Sequence, residues 1–189
     1  MKQLVILFFA ASTLLSSVQA QFKPVTMDKS PMDLSYYPVN YPILKIQNKA
    51  TEPLLAKVEY SRPQKNGRQV FGELIEYGIV WRLGANEATE IEFYKDVRVG
   101  NQKLKKGRYT MYAIPTPEKW TLIFNKETDT WGAFQYDEEK DVLRIELKTE
   151  KIDEVVEAFT MQFEKAGDGA TLVMAWDNVK VTLPINFAK

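Results

Sequence analysis

The chain has 189 residues, with 25 basic and 25 acidic side chains and with neither histidine nor cysteine. Because its charge is balanced, it lacks the positive surface that binds nucleic-acid backbones, and we expect no nucleic-acid partner. Without His and Cys it has no Ser-His-Asp triad, no thiolate nucleophile, no ordinary zinc site and no disulfide. Acid–base catalysis would depend on carboxylates, Lys or Tyr, so we favour a protein without enzymatic activity and expect no cofactor and no metal.

Residues 1–20 have the pattern of a secretory signal peptide. Lys2 precedes the apolar run LVILFFAASTLL, and VQA ends in small residues suited to cleavage after Ala20. The run is too short to span a bilayer, so we expect no transmembrane segment after cleavage. No cysteine is available for lipid attachment of the bacterial lipoprotein type. We therefore expect an exported protein, periplasmic or extracellular, that is not a lipoprotein.

Residues 21–42 predict an extended lead-in to the folded domain. The segment QFKPVTMDKSPMDLSYYPVNYP contains four prolines and three tyrosines but no regular hydrophobic period. Proline disfavours a long helix or a central strand here. We expect the lead-in to lie along the domain through its tyrosines.

After the lead-in, apolar and polar residues alternate with a period of two, which is typical of strands with one buried face. In LLAKVEY, the residues Ala56, Val58 and Tyr60 share one face. The segments TEIEFY, KWTLIFN, VLRIELK and EAFTMQFEK have the same pattern. Turns are predicted at Gly100-Asn101 and near Asp177-Asn178, the second of these separating two last strands.

These segments predict an all-β fold for residues 43–189, a single antiparallel β-sandwich of about nine strands. Only FGELIEYG and EKIDEVVE have compositions that could form a helical turn, so we expect at most one or two short helical turns. No internal repeat divides the region, and one domain is expected.

Three long stretches of the chain resemble the DUF2911 family. They are YSRPQKNGRQVFGELIEYGIVWRLGANEATEIEFYKDV, LKKGRYTMYAIPTPEKWTLIFNKETDTWGAF and YDEEKDVLRIELK, and the likeness extends from about Leu54 to Ile185. The resemblance implies an exported bacterial β-sandwich protein of a type common in Bacteroidetes. Because the family's function is unknown, it implies no catalytic residue.

Arg62 is the first candidate for a functional side chain. It continues the inward parity of the strand before it, and Pro63 favours an extended backbone at Arg62. A guanidinium at the end of an apolar core needs carboxylates or carbonyls around it. The favoured interpretation is an internal ion pair, with Glu87 as a possible partner. The alternative is a clamp for an anion or a hydroxyl at the mouth of the sandwich.

The segment WRLGANEATEI places Arg82, Asn86 and Glu87 around Gly84. Gly and Asn suit a turn with unusual dihedral angles, so these residues can tie a loop together. Together with Arg62 they could instead form a polar binding pocket at one end of the sandwich. We favour the packing role and keep the pocket as the alternative.

Aromatic and basic side chains supply further candidates. The segment TDTWGAFQYD carries Trp131, Phe134 and Tyr136, which predict core packing or, if exposed, a stacking platform for a sugar. Lys65 and Arg68 in SRPQKNGR predict a solvated loop, with an acidic glycan or a lipid head group as alternative partners.

The sequence thus favours a non-catalytic binding module for a small molecule, glycan or peptide. One alternative is a structural or adaptor protein with an envelope-protein partner. The other is a carboxylate-dependent hydrolase, which would draw on Glu87, Glu90 and Glu92, although Glu90 and Glu92 have the parity of a solvated face. The candidate ligand contacts are Arg62, Arg82, Asn86, Glu87, Trp131 and Tyr136.

Overall fold

The structure is a computed structural model that describes residues 22–188, so the expected signal peptide lies outside the described residues. The described range contains nine strands, one α-helix and one 3-10 turn. In chain order they are β1 (Met32–Tyr37), α1 (Tyr41–Ile46), β2 (Ala56–Ser61), β3 (Glu90–Phe93), β4 (Val97–Val99), β5 (Gln102–Leu104), β6 (Gly107–Pro115), β7 (Lys119–Asn125), η1 (Glu138–Lys140), β8 (Asp141–Ala166) and β9 (Gly169–Phe187). No helix among residues 22–188 is long and apolar enough to cross a membrane.

The nine strands form a continuous antiparallel sheet in the order β1-β2-β3-β6-β7-β8-β9-β4-β5. β8 pairs with two different strands along its length. Its beginning, up to Lys148, pairs with β7, and the remainder, from Thr149 onward, pairs with β9. Register shifts on either side of Val156 interrupt the β8–β9 pairing, and such bulges bend a strand. The all-β, antiparallel prediction with about nine strands is confirmed.

The bend brings the β1–β2 edge of the sheet back onto the second half of β8. Beyond β2, the Lys65 amide donates to the Glu157 carbonyl over 2.8 Å, and the Phe159 amide donates to the Pro63 carbonyl over 2.9 Å. Within β1, the Ser35 hydroxyl accepts from the Phe163 amide at 3.0 Å. An exposed edge strand is a template for aggregation, and these contacts place this edge of the sheet against β8.

Aromatic rings fill the centre of the space that the sheet encloses. The ring centroids of Trp81 and Trp120 are 5.6 Å apart, and Phe71 approaches Trp120 to 5.2 Å. Phe159 lies 5.2 Å from Trp81, and Trp176 stacks on the same ring at 6.1 Å. Edge-to-face and offset pairs of this kind stabilise a core beyond the area they bury.

β7 is buried on both faces. Trp120, Leu122 and Phe124 point into the main core, as their alternation predicts, and each is fully buried. Ile123 on the opposite face is also fully buried, because it packs with Tyr112 under loop residues on the outside of the sheet. A strand covered on both faces loses the simple apolar–polar alternation.

The element boundaries differ from the sequence expectation in several places. VLRIELK and EAFTMQFEK belong to one strand, β8, and β9 continues through Asp177, which adopts φ 55° at a register shift instead of forming a turn. FGELIEYG forms turns without a helix, and EKIDEVVE lies within β8. The lead-in contributes β1, which pairs with β2 over six residues, and α1 begins at its end with Pro42 in the first turn.

Candidate ligand-binding surfaces

The turn Leu83–Ala85 is tied to the end of β2. The buried Ser61 hydroxyl donates to the Ala85 carbonyl over 2.5 Å and accepts from the Ala85 amide at 2.6 Å. The Trp81 indole donates to the Gly84 carbonyl over 3.0 Å, and the Thr89 hydroxyl donates to the Leu83 carbonyl over 2.6 Å. A Cβ on Gly84 would lie 2.8 Å from Ser61 Oγ, so this close approach requires glycine. The turn is thus held through Ser61, Trp81 and Thr89, and the packing role that the sequence favours for Arg82, Asn86 and Glu87 stays a prediction.

The same turn is joined to the loop of residues 129–136. The Asn86 carbonyl accepts from the Gly132 amide at 2.9 Å, and Glu87 forms an isolated antiparallel bridge with Trp131. Asn86 itself adopts a left-handed backbone with φ 57°, which asparagine tolerates better than most residues. The structure therefore brings Asn86, Glu87 and Trp131 together through their backbones.

Arg62 takes part in a different set of contacts. Its Nη1 donates to Asp33 over 3.1 Å, its Nε to the Phe159 carbonyl over 3.2 Å and its Nη2 to the Thr160 hydroxyl over 3.0 Å. Its ion-pair partner is thus Asp33 on β1, not the Glu87 suggested from the sequence. The reason is topological, since β1 pairs alongside β2 and places Asp33 opposite Tyr60.

The Arg82 side chain makes no hydrogen bond and no ion pair within the described residues. Its Nε is buried without a hydrogen bond, and burial lowers the pKa of its guanidinium. The other arginines of residues 22–188 all make hydrogen bonds; these are Arg62, Arg68, Arg98, Arg108 and Arg144. Arg82 lines a cleft of about 180 Å³ together with Leu74, Glu76, Ile79 and Ala133.

The three aromatic candidates of TDTWGAFQYD have different environments. Trp131 and Phe134 are 61% and 83% exposed, whereas Tyr136 packs edge-on against Tyr112 at 5.1 Å. The Tyr136 hydroxyl donates to Asp141 over 2.6 Å, and burial, then this hydrogen bond, raises the pKa of Tyr136 to about 12. Tyr136 is therefore held by internal contacts, and only Trp131 and Phe134 offer exposed rings.

Glu87 lines an acidic pocket of about 340 Å³ that also contains Glu59, Glu90, Asp129 and Arg108. Arg108 lies 3.3 Å from Glu90 and also bonds Asp129, whose amide donates to Glu90 over 2.5 Å. Two of the four carboxylates therefore already share one arginine within the protein. Among residues 22–188, no group of three or more acidic side chains is arranged to hold a metal ion.

A cavity of about 600 Å³ lies between the KNGR loop and the bulged parts of β8 and β9. We call it the basic groove. The residues that matter for its chemistry are Lys65, Arg68, Tyr77, Lys151, Asp177 and Asn178. Three cations face one carboxylate, so the groove is net positive although the whole chain is neutral.

The KNGR loop fixes the positions of two of these cations. Asn66 and Gly67 adopt φ 50° and 73°, and the Arg68 amide donates to the Lys65 carbonyl over 3.1 Å, which closes a tight turn. Arg68 donates from Nε to the Lys65 carbonyl over 2.9 Å and from Nη2 to the Gln64 carbonyl over 2.5 Å. Lys65 Nζ donates to the Arg68 carbonyl over 2.8 Å and to Asp177 over 2.7 Å.

The sequence therefore pointed to only part of this groove. Lys65 and Arg68 were recognised as a basic loop, and the Asn-Gly pair is the local signal for the turn that orders them. Lys151 and Asp177 carry no local signal. The bends in β8 and β9 place them there, and the period of a strand does not predict a bulge.

The family model described as "Protein of unknown function (DUF2911)" matches residues 44–185. This range contains every residue named for the basic groove and for the Arg82 cleft. No curated protein and no solved structure matches the chain. Since the match covers well over half of the chain, and as the resemblance of its motifs predicted, the protein belongs to the DUF2911 family, whose function is unknown.

Proposed function

We propose that the protein is an exported, non-catalytic binding module that takes a small acidic glycan in the basic groove. The volume of the groove, about 600 Å³, falls within the range of about 300–1,000 Å³ that is usual for small-molecule sites. The proposed ligand is a sugar acid or a short oligosaccharide that carries a carboxylate or a sulfate. Its negative charge matches the excess of cations in the groove.

One observation carries this proposal: the groove holds Arg68 and Lys65 in place by hydrogen bonds to the protein's own backbone. Arginine on a solvated surface is normally mobile, and ordering such a side chain costs about 0.5–1.5 kcal/mol on binding. Here that cost is met in the free protein. Arg68 Nη1 makes no hydrogen bond within residues 22–188 and can bind an oxyanion, for which the guanidinium is suited.

The remaining lining of the groove fits a sugar better than a simple inorganic anion. Tyr77 is 41% exposed and offers a ring face on which a pyranose can stack. Gln69 and Asn178 supply amides, which can donate to and accept from sugar hydroxyls. The Thr149 hydroxyl already donates to the Pro117 carbonyl over 2.7 Å and can accept from a sugar hydroxyl.

The test is calorimetry and thermal unfolding of the purified protein with glucuronic acid, galacturonic acid and sulfated disaccharides, each beside its neutral counterpart. A ligand at one hundred times its Kd stabilises the fold by about 2.7 kcal/mol, or about 5–10 °C at this size. We expect this shift with the acidic sugars alone and a weaker shift at high salt.

Two variants locate the binding. Arg68→Gln and Lys151→Gln should reduce the shift, whereas Arg98→Gln, in the separate β4–β5 hairpin, should leave it unchanged. Equal shifts with acidic and neutral sugars, or no shift with any of them, would contradict the proposal. So would a shift that Arg68→Gln leaves intact.

The two alternative functions have less support. A carboxylate-dependent hydrolase would use the acidic pocket, but Glu90 and Asp129 are already bonded to Arg108 there. Turnover of a chromogenic glycoside that Glu87→Gln abolishes would favour this alternative. An envelope adaptor needs a protein-docking surface, and the exposed surface around Arg82 is the candidate for one.

A further inference from the structure

Exposed apolar side chains surround the Arg82 cleft. Leu74 and Ile79 line it and are 39% and 56% exposed. Ala133 also lines it, and the exposed Phe134 is the next residue in the chain. We call Leu74, Ile79, Arg82 and Phe134 the Arg82 patch. Aromatic side chains and arginine are enriched at the centres of protein interfaces, where charged residues of other types are depleted.

The patch contains a cation whose partner is missing from the described chain. Arg82 has a buried Nε without a hydrogen bond, and no carboxylate of residues 22–188 lies within 4.0 Å of its guanidinium. Glu76 lines the same cleft but does not reach this distance. A guanidinium that is partly removed from water and has no internal acceptor destabilises a fold. A carboxylate that enters the cleft and accepts from the Nη groups, which are not buried, would compensate for this loss.

The cleft's volume of about 180 Å³ limits what that acceptor can be. It is smaller than the roughly 300–1,000 Å³ of typical small-molecule sites, and a single side chain fills it better than a whole ligand. Apolar side chains at the rim would exclude water around a carboxylate bound to Arg82 and so strengthen the ion pair.

From these observations we propose that the Arg82 patch docks a segment of a partner protein in which an acidic side chain is flanked by apolar residues. The carboxylate enters the cleft and accepts hydrogen bonds from Arg82, while the flanking apolar residues cover Leu74, Ile79 and Phe134. This inference does not depend on the glycan proposal. The turn of residues 74–79 separates the two surfaces, with Tyr77 lining the groove and Leu74 and Ile79 lining the cleft.

The probe is an array of synthetic peptides with a central Glu and flanking Leu, Ile or Phe at varied spacing, each paired with a twin that carries Gln in place of Glu. Binding of the purified protein is measured by fluorescence polarisation. A desolvated charge-assisted hydrogen bond corresponds to about a tenfold or larger change in affinity. We expect the Glu peptides to bind at least about tenfold more tightly than their Gln twins.

Three variants test the role of the cleft. Arg82→Met should abolish the difference between Glu and Gln peptides, and Arg98→Met, a change to an exposed arginine elsewhere, should preserve it. Glu76→Gln should tighten binding of the Glu peptides, because it removes from the cleft a negative charge that repels the peptide's carboxylate. If Arg82→Met does not fold, Ile79→Ser and Phe134→Ser replace exposed side chains and should weaken binding while the fold remains.

Four results would overturn the proposal. The first is equal affinity for the Glu peptides and their Gln twins, and the second is no binding to any peptide. The third is full binding of the Glu peptides by both serine variants. The fourth is competition by free acetate at the same concentration as the peptide, which would make the cleft a small-anion site.

Discussion

Replacing Arg82 with methionine should raise the free energy of unfolding of the free protein, although a mutation near a core usually lowers it. The reason is the Nε atom, which is buried and makes no hydrogen bond to the part of the chain that the structure describes. Methionine retains an unbranched apolar stem that can keep the packing of the arginine methylene groups, and it removes the unpaired donor and the charge. Arg82→Ala would lose that packing as well, so methionine is the informative substitution.

The magnitude follows from one buried, unpaired N–H group. Leaving such a group unsatisfied costs about 1–3 kcal/mol. Arg82 is only partly buried, so water relieves part of this cost and we take the lower end, about 1 kcal/mol. For a domain of this size, 1 kcal/mol corresponds to about 2–4 °C in Tm.

The assay is urea unfolding with thermal melts, for the wild type, Arg82→Met and the control Arg98→Met. Arg98 is exposed and bonds only a carbonyl in its own hairpin, so its replacement should change stability by less than about 0.5 kcal/mol. A loss of about 1 kcal/mol or more in Arg82→Met would refute the reasoning, because it would mean that Arg82 has an internal partner in solution. A double-mutant cycle with Glu76→Gln would then test the nearest candidate.

Three further predictions follow from the structure. Arg62→Met should destabilise by about 1–2 kcal/mol in urea unfolding, since it breaks a partly exposed ion pair and two further hydrogen bonds; an unchanged midpoint would contradict the assigned contacts. Gly84→Ala should lower the free energy of unfolding by about 1–3 kcal/mol, because the new Cβ crowds Ser61 Oγ. When Ser61 is also replaced by Ala, most of this loss should disappear. Burial raises the pKa of Tyr60 from 10.0 to about 12. The protonated Tyr60 side chain therefore stabilises the fold fully below pH 10, and this stabilisation is lost as the pH rises through 12. Between pH 9 and 12 the free energy of unfolding of Tyr60→Phe should therefore fall less steeply with pH than that of the wild type, by a slope equivalent to about one proton. Equal slopes for the two proteins would count against this assignment.

The alternation of apolar and polar residues was sufficient to predict most of the strands and their buried faces. Trp120, Leu122 and Phe124 are buried as their spacing indicates, because successive side chains of a strand must point to opposite sides. The same rule could not predict that Ile123 is buried too. Its burial depends on loops from distant parts of the chain that cover the outer face of β7.

The candidate sites depended more heavily on tertiary structure. The segment WRLGANEATEI was predicted to contain a turn with unusual dihedral angles, because Gly and Asn adopt such angles more readily than other residues. Asn86 does adopt a positive φ of 57°. Which carboxylate pairs with Arg62 was not predictable, because Asp33 is 29 residues away in sequence and is brought near by the pairing of β1 with β2.

The all-β class, the inward faces of the strands and the loop that carries Lys65 and Arg68 were predictable from the sequence alone, because these features depend on neighbours within a few residues. The continuity and bending of β8 and β9, and the bulges that bring Asp177 beside Lys65, became evident only from the folded chain. The packing around Arg82, which leaves its Nε without a hydrogen bond within residues 22–188, was equally beyond the reach of the sequence pattern. The physical reason is that periodicity records which face of an element is buried, whereas sheet order, bulges and loop packing decide which residues meet across it.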